Sequence, residues 1–153
     1  MKKLTALLLA LVMLTVAFAS CNGGDDENAS PEGKTFAYEK SEIVDFENDE
    51  HEEFIRSLTV PDGYTFDEFI ANVGSTGSQL HTLVFSFENG EMRFSSVESS
   101  FKYELNGKKI TFDGQEDLEG ISFTYENGKL VLTAKIQVQK AVATAKYYFK
   151  ESK

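Results

Sequence analysis

Period-two alternation of apolar and polar residues runs through the second half of the chain and dictates a sheet. From Leu80 onward, Leu83, Phe85 and Phe87 share one parity, then Met92 and Phe94, then Phe101, Tyr103 and Leu105. Ile110 and Phe112 follow, then Ile121, Phe123 and Tyr125, then Leu130, Leu132, Ala134, Ile136 and Val138, and last Ala143, Ala145, Tyr147 and Phe149. Between them stand polar residues such as Ser86, Arg93, Lys102, Glu104, Thr111, Thr124, Thr133, Lys135 and Lys146. Strands with one wet face and one buried face read this way.

Asn89-Gly90, Asn106-Gly107, Asp113-Gly114 and Asn127-Gly128 fall between these runs. Such dipeptides accept the positive φ angles of type I′ turns and so mark tight hairpins. Strands joined by hairpins are antiparallel neighbours. Seven are expected after Leu80, at roughly 82–89, 91–97, 100–106, 108–113, 120–126, 129–139 and 142–150. An eighth, Lys34 to Phe46, precedes them with Phe36 and Tyr38 on one face. Eight such strands in simple order close into an up-and-down antiparallel barrel, because closure removes both unpaired edges.

Two short helices are expected between strands 1 and 2. His51 to Leu58 carries Phe54, Ile55 and Leu58. Thr65 to Val73 carries Phe66, Phe69, Ile70 and Val73 at helical spacing, opens with the capping-box pattern Thr65-Phe66-Asp67-Glu68 and is ended by Gly74. Val60-Pro61-Asp62-Gly63 is a turn between them. Too few residues remain for a second core, so the helices are expected to plug one barrel mouth.

The N-terminus carries a different signal. Met1-Lys2-Lys3 is basic, and Leu4 to Phe18 is apolar apart from Thr, shorter than the roughly 20 residues that span a bilayer. Ala17-Phe18-Ala19-Ser20 then leads to Cys21, the single cysteine of the chain. The segment resembles a bacterial lipoprotein signal with its lipobox. That resemblance implies cleavage before Cys21, acylation of its thiol and stable anchoring by more than one acyl chain. Ala17-Phe18-Ala19 also fits the small-x-small site of ordinary secretion, which would release a soluble protein. The expected organisation is a signal peptide at 1–20, a polar acidic tether at 21–32 and a barrel domain at 33–153.

Charge is divided unevenly. Fifteen acidic residues stand against Lys34, Lys40 and Arg56 between Asp25 and Glu68, whereas Phe69 to Lys153 is balanced. The cluster Asp25-Asp26-Glu27 resembles the surface-export signal of Bacteroidota lipoproteins; a solvated periplasmic spacer is the plainer alternative. The net charge of −10 argues against a nucleic-acid partner. Asp45 to Glu53 is the densest stretch, without EF-hand spacing, and reads as a solvated loop and helix start.

Gly33-Lys34-Thr35-Phe36, the hairpin Tyr103 to Phe112 and the final Ala145-Lys146-Tyr147-Tyr148-Phe149 together resemble small lipocalin-like, calycin-type lipoproteins of the Bacteroidota. The resemblance implies a closed barrel with Phe36 in the place of a lipocalin tryptophan and Lys146 or Lys150 as its basic partner. The chain has no tryptophan, so calycin-like is the description that fits.

No nucleophile elbow, phosphate-binding glycine loop or metal-ligand spacing is present, and the two histidines, His51 and His81, fit no triad. A non-enzymatic protein without cofactor is expected. Candidate barrel-lining residues for a small hydrophobic or amphipathic ligand are Phe85, Phe87, Phe94, Tyr103, Phe123, Tyr125, Tyr147 and Phe149, which would equally serve as plain core. The expected product is a monomeric outer-membrane lipoprotein of the cell envelope, membrane-attached through Cys21. The alternative function is an envelope interaction protein that touches a protein or glycan, with a solid-packed barrel; Tyr148 and the acidic first segment are the contacts it would use.

Overall fold

The computed structural model describes residues 29–74, 77–118 and 120–153. Cys21, the signal peptide and residues 21–28 of the tether lie outside the described residues. The strands are β1 (Thr35–Phe46), β2 (Val84–Glu88), β3 (Glu91–Phe94), β4 (Ser100–Asn106), β5 (Lys109–Phe112), β6 (Ile121–Glu126), β7 (Lys129–Val138) and β8 (Ala141–Glu151). Each pairs antiparallel with its sequence neighbours, and β1 pairs with β8, closing an eight-stranded lipocalin-like barrel. The expected closure and strand order are both present. Two helices, α1 (Asp49–Arg56) and α2 (Phe66–Val73), stand between β1 and β2 as expected.

Strict antiparallel order sorts the connections by end. The β2–β3, β4–β5 and β6–β7 turns all lie at one end, the base; two are Asn-Gly, whereas the third is Gly107-Lys108, one residue later than expected, because Asn106 still pairs with Lys109 in the ladder. Asn89 and Asn127 take φ of 57° and 52°, and the following glycines are also positive, as a type I′ turn requires. The other four connections meet at the opposite end, the mouth, and three of these are long. Asp113-Gly114 makes its tight turn within the β5–β6 connection, closing the Phe112–Gln115 bridge before the chain reaches β6.

The barrel wall is uneven. β7 and β8 share ten register pairs and β1 and β8 share nine, whereas β5 and β6 share two. Alternation holds along β8, where Ala143, Ala145, Tyr147 and Phe149 are buried and the residues between them are not. The alternation expected from Leu80 starts later, because residues Gly77–Thr82 form a 3₁₀ turn and β2 opens at Val84. Leu80 and Leu83, three apart, fit that turn better than a strand.

The two helices cover the mouth on the β7–β8–β1 side. In α1 the Asn48 side chain accepts from the His51 N–H, and Ile55 is fully buried. The Arg56 guanidinium lies over the rings of Phe46 and Phe66, tying α1 to both β1 and α2. The capping box at Thr65 and Glu68 is formed, with Thr65 Oγ1 and the Glu68 carboxylate each accepting from the other's backbone N–H. Gly74 follows α2 with φ −62° and ψ 148°, an extended conformation open to any residue. Glycine is required there for space: a Cβ would stand 2.9 Å from the Cβ of Ile136 on β7. Ile70 and Ala71 are fully buried, so α2 inserts its C-terminal half into the barrel end.

The base is closed by residues that the sequence assigned to the tether. Pro31 is buried, and Ala29 packs against the core. Glu32 accepts from the Gly90 N–H and the Tyr103 hydroxyl, and the Gly33 N–H donates to Phe87 O at 2.8 Å. Residues 29–32 therefore pack as part of the barrel's base.

Candidate functional site

Aromatic packing divides the barrel interior in two. Near the base, Phe36 meets Phe87 and Tyr125 edge to face, and Phe87 meets Tyr103 in the same way. The Lys34 ammonium donates to the Tyr125 hydroxyl at 3.0 Å and lies 5.7 Å from the ring centroid. That hydrogen bond, ahead of the opposing effect of burial, raises the Lys34 pKa. Lys34 is thus the cation of the Phe36–Tyr125 cluster. Lys146 and Lys150 occupy the outward parity of β8, opposite the inward Tyr147 and Phe149, and do not share the Phe36 side of the sheet.

Under the plug, Tyr147 is fully buried and its hydroxyl donates to the carbonyl of Ala71 at 2.5 Å. Burial above all raises the Tyr147 pKa. Phe149 packs edge to face on Phe85 and Tyr38. This half of the interior is core.

On the β3–β6 side the mouth stays open. A pocket of about 290 Å³ is lined by Leu80, Leu83, Phe85, Phe94, Val97, Phe101, Leu118, Ile121, Phe123 and Leu132. Every lining side chain is a hydrocarbon. Phe94 and Phe101 stack with centroids 5.6 Å apart and rings within 7° of parallel, making one wall. Phe85 and Phe123, 5.6 Å apart and edge to face, make the floor with Leu132. Val97, 41% exposed, stands at the rim in the β3–β4 loop, and Leu118 reaches in from the β5–β6 connection.

Of the eight residues expected to line a ligand site, the structure brings together Phe85, Phe94 and Phe123. Phe87, Tyr103, Tyr125, Tyr147 and Phe149 are placed lower or under the plug and are not part of the pocket wall. Parity places a residue inside the barrel but says nothing of its height. The lining that sequence reasoning missed comes from connections (Leu80, Leu83, Val97, Leu118) and from three further strand residues of the inward parity (Phe101, Ile121, Leu132). The apolar character of Val97 and Leu118 inside otherwise polar loops was the available signal.

Elsewhere, His51 sits in the first turn of α1, where its Nδ1 accepts from the Val142 N–H at 3.2 Å beside Glu47, a structural tie to the start of β8. Tyr148 lies on the outer face with the Lys40 ammonium over its ring and donates to Glu42; burial, then that hydrogen bond, pushes its pKa up to about 12. Among the described residues no group of three or more His, Cys, Asp or Glu is placed to hold a metal ion, and no helix is long and apolar enough to cross a membrane. Comparison of the chain with protein-family models, curated proteins and solved structures gave no match. The class is therefore set by architecture alone: a closed, eight-stranded, all-antiparallel barrel plugged at one side of its mouth.

Proposed function

We propose that this is a membrane-anchored lipoprotein of the cell envelope whose barrel takes up a small hydrophobic or amphipathic molecule at its mouth. The observation that carries the ligand reading is the 290 Å³ hydrocarbon-lined pocket beside the plug. Its volume falls just under the range for small-molecule sites, about 300–1,000 Å³, so only a small guest fits. A single short acyl chain or one apolar ring suits it, with any polar group left at the rim. The protein would act by sequestering that molecule from water, a role that needs no catalytic group. The signal at Met1 to Cys21 supports the anchor, and the tether joins the domain at the closed base, leaving the mouth at the far end of the barrel.

Native mass spectrometry of the full chain purified from membranes tests the ligand. A stoichiometric small adduct is expected, and its absence after gentle extraction counts against the reading. Radiolabelled palmitate tests the anchor. Incorporation should vanish with Cys21→Ala, and labelling that persists contradicts it.

A further inference from the structure

The mouth pocket accepts hydrocarbon but offers nothing to the polar end of a guest, because every lining side chain is apolar. That end must stay at the rim, where the bordering connections set the charge. The β3–β4 loop (95–99) and the β5–β6 connection (113–120) lend Val97 and Leu118 to the wall. Next to these two in the chain stand Glu98 and Asp117, both exposed. The same connections hold Asp113 and Glu116 and, among the described residues, no lysine, arginine or histidine.

Neighbouring cations do not cancel this surplus. Lys109 holds Glu116 at 2.6 Å, and Arg93, exposed on the outer face of β3, lies 3.7 Å from Glu91. Lys102 on β4 is in register with Glu91, at the base end of β3. Among the described residues Glu98 and Asp117 form no ion pair. The plug across the mouth is acidic as well, with Asp49, Glu50 and Glu52 in the first turn of α1. Its Arg56 is held by Glu52 at 2.8 Å.

Such charges act without contact, over about 10 Å at 0.1 M salt. The carboxylates that attract an ammonium at the rim repel a carboxylate there. We propose that the mouth pocket selects amphiphiles with a cationic head, of which a primary alkylamine is the simplest. This selection rests on the ligand reading of the same pocket, and adds to it the charge of the guest.

Calorimetric titration of the full chain at neutral pH and about 20 mM salt compares octylamine, octanol and octanoate, with ethylamine supplying the charge without the chain. Octylamine should bind about fivefold tighter than octanoate, with octanol between them and ethylamine without measurable heat. At about 0.5 M salt the preference should shrink to about twofold. The double variant Glu98→Gln, Asp117→Asn changes exposed side chains, and Asp117→Asn keeps the oxygen that accepts from the Gly120 N–H. It should reduce the preference to about twofold at low salt. Octanoate binding as tightly as octylamine would overturn the selection and leave the pocket standing. Failure of all three octyl compounds to bind would overturn both. Ethylamine binding as tightly as octylamine, or an undiminished preference in the double variant, would also overturn the proposal.

Discussion

The Tyr147 hydroxyl reaches from the barrel interior to the Ala71 carbonyl, 2.5 Å away at the C-terminal end of α2. Strand and plug are thereby joined by a bond made where water does not reach. The last carbonyls of a helix have no partner within it, so one outside donor both satisfies Ala71 and fixes the depth of α2. How far α2 descends sets how much of the mouth remains as pocket.

Tyr147→Phe removes only the hydroxyl and leaves a buried carbonyl unpaired. The expected loss is about 1–3 kcal/mol in urea unfolding, with faster amide exchange confined first to α2. An unchanged midpoint would show that the bond does not hold the plug.

Gly74 and Gly90 should respond oppositely to asparagine. Gly90 has φ +75° and open space around a Cβ, so asparagine, which tolerates that region, costs little. Gly74 has an ordinary φ but meets Ile136 at 2.9 Å, and overpacking of this kind costs about 1–3 kcal/mol. Thermal melts of Gly74→Asn and Gly90→Asn decide the matter; equal losses would refute the close-packing role of Gly74.

The base of the barrel is tied by a bond sensitive to pH at both extremes. The Tyr103 hydroxyl, chiefly, holds the Glu32 carboxyl below its ordinary 4.5. This contribution is complete above pH 4.5 and disappears as pH falls through the lowered value. Burial, then the bond to Glu32, pushes Tyr103 up to about 12 from 10. That part is complete below pH 10 and disappears as pH rises through about 12. Denaturant unfolding of wild type beside Glu32→Gln should therefore show a gap at neutral pH that closes in acid. A gap independent of pH would mean that Glu32 does not titrate against Tyr103.

Architecture was legible in the sequence because its signals are local. Parity along β8 and the three tight base turns, two of them Asn-Gly, each act within a few residues, and together they fix neighbours, direction and closure. The site was less legible because depth in a barrel depends on register around the whole ring. Phe123 and Tyr125 have the same parity, yet one floors the pocket and the other packs on Phe36 near the base. Gly74 had been placed correctly as a helix end, but its reason lay 62 residues away at Ile136.

Titration of the full chain with a fluorescent fatty-acid analogue, wild type beside Val97→Trp, tests the mouth pocket most directly. Val97 is exposed at the rim, so tryptophan there narrows the opening without touching the core. Saturable one-to-one binding to wild type, weakened about tenfold or more in Val97→Trp at unchanged melting temperature, is the predicted result. Equal binding by both proteins, or no saturable binding by wild type, would contradict it.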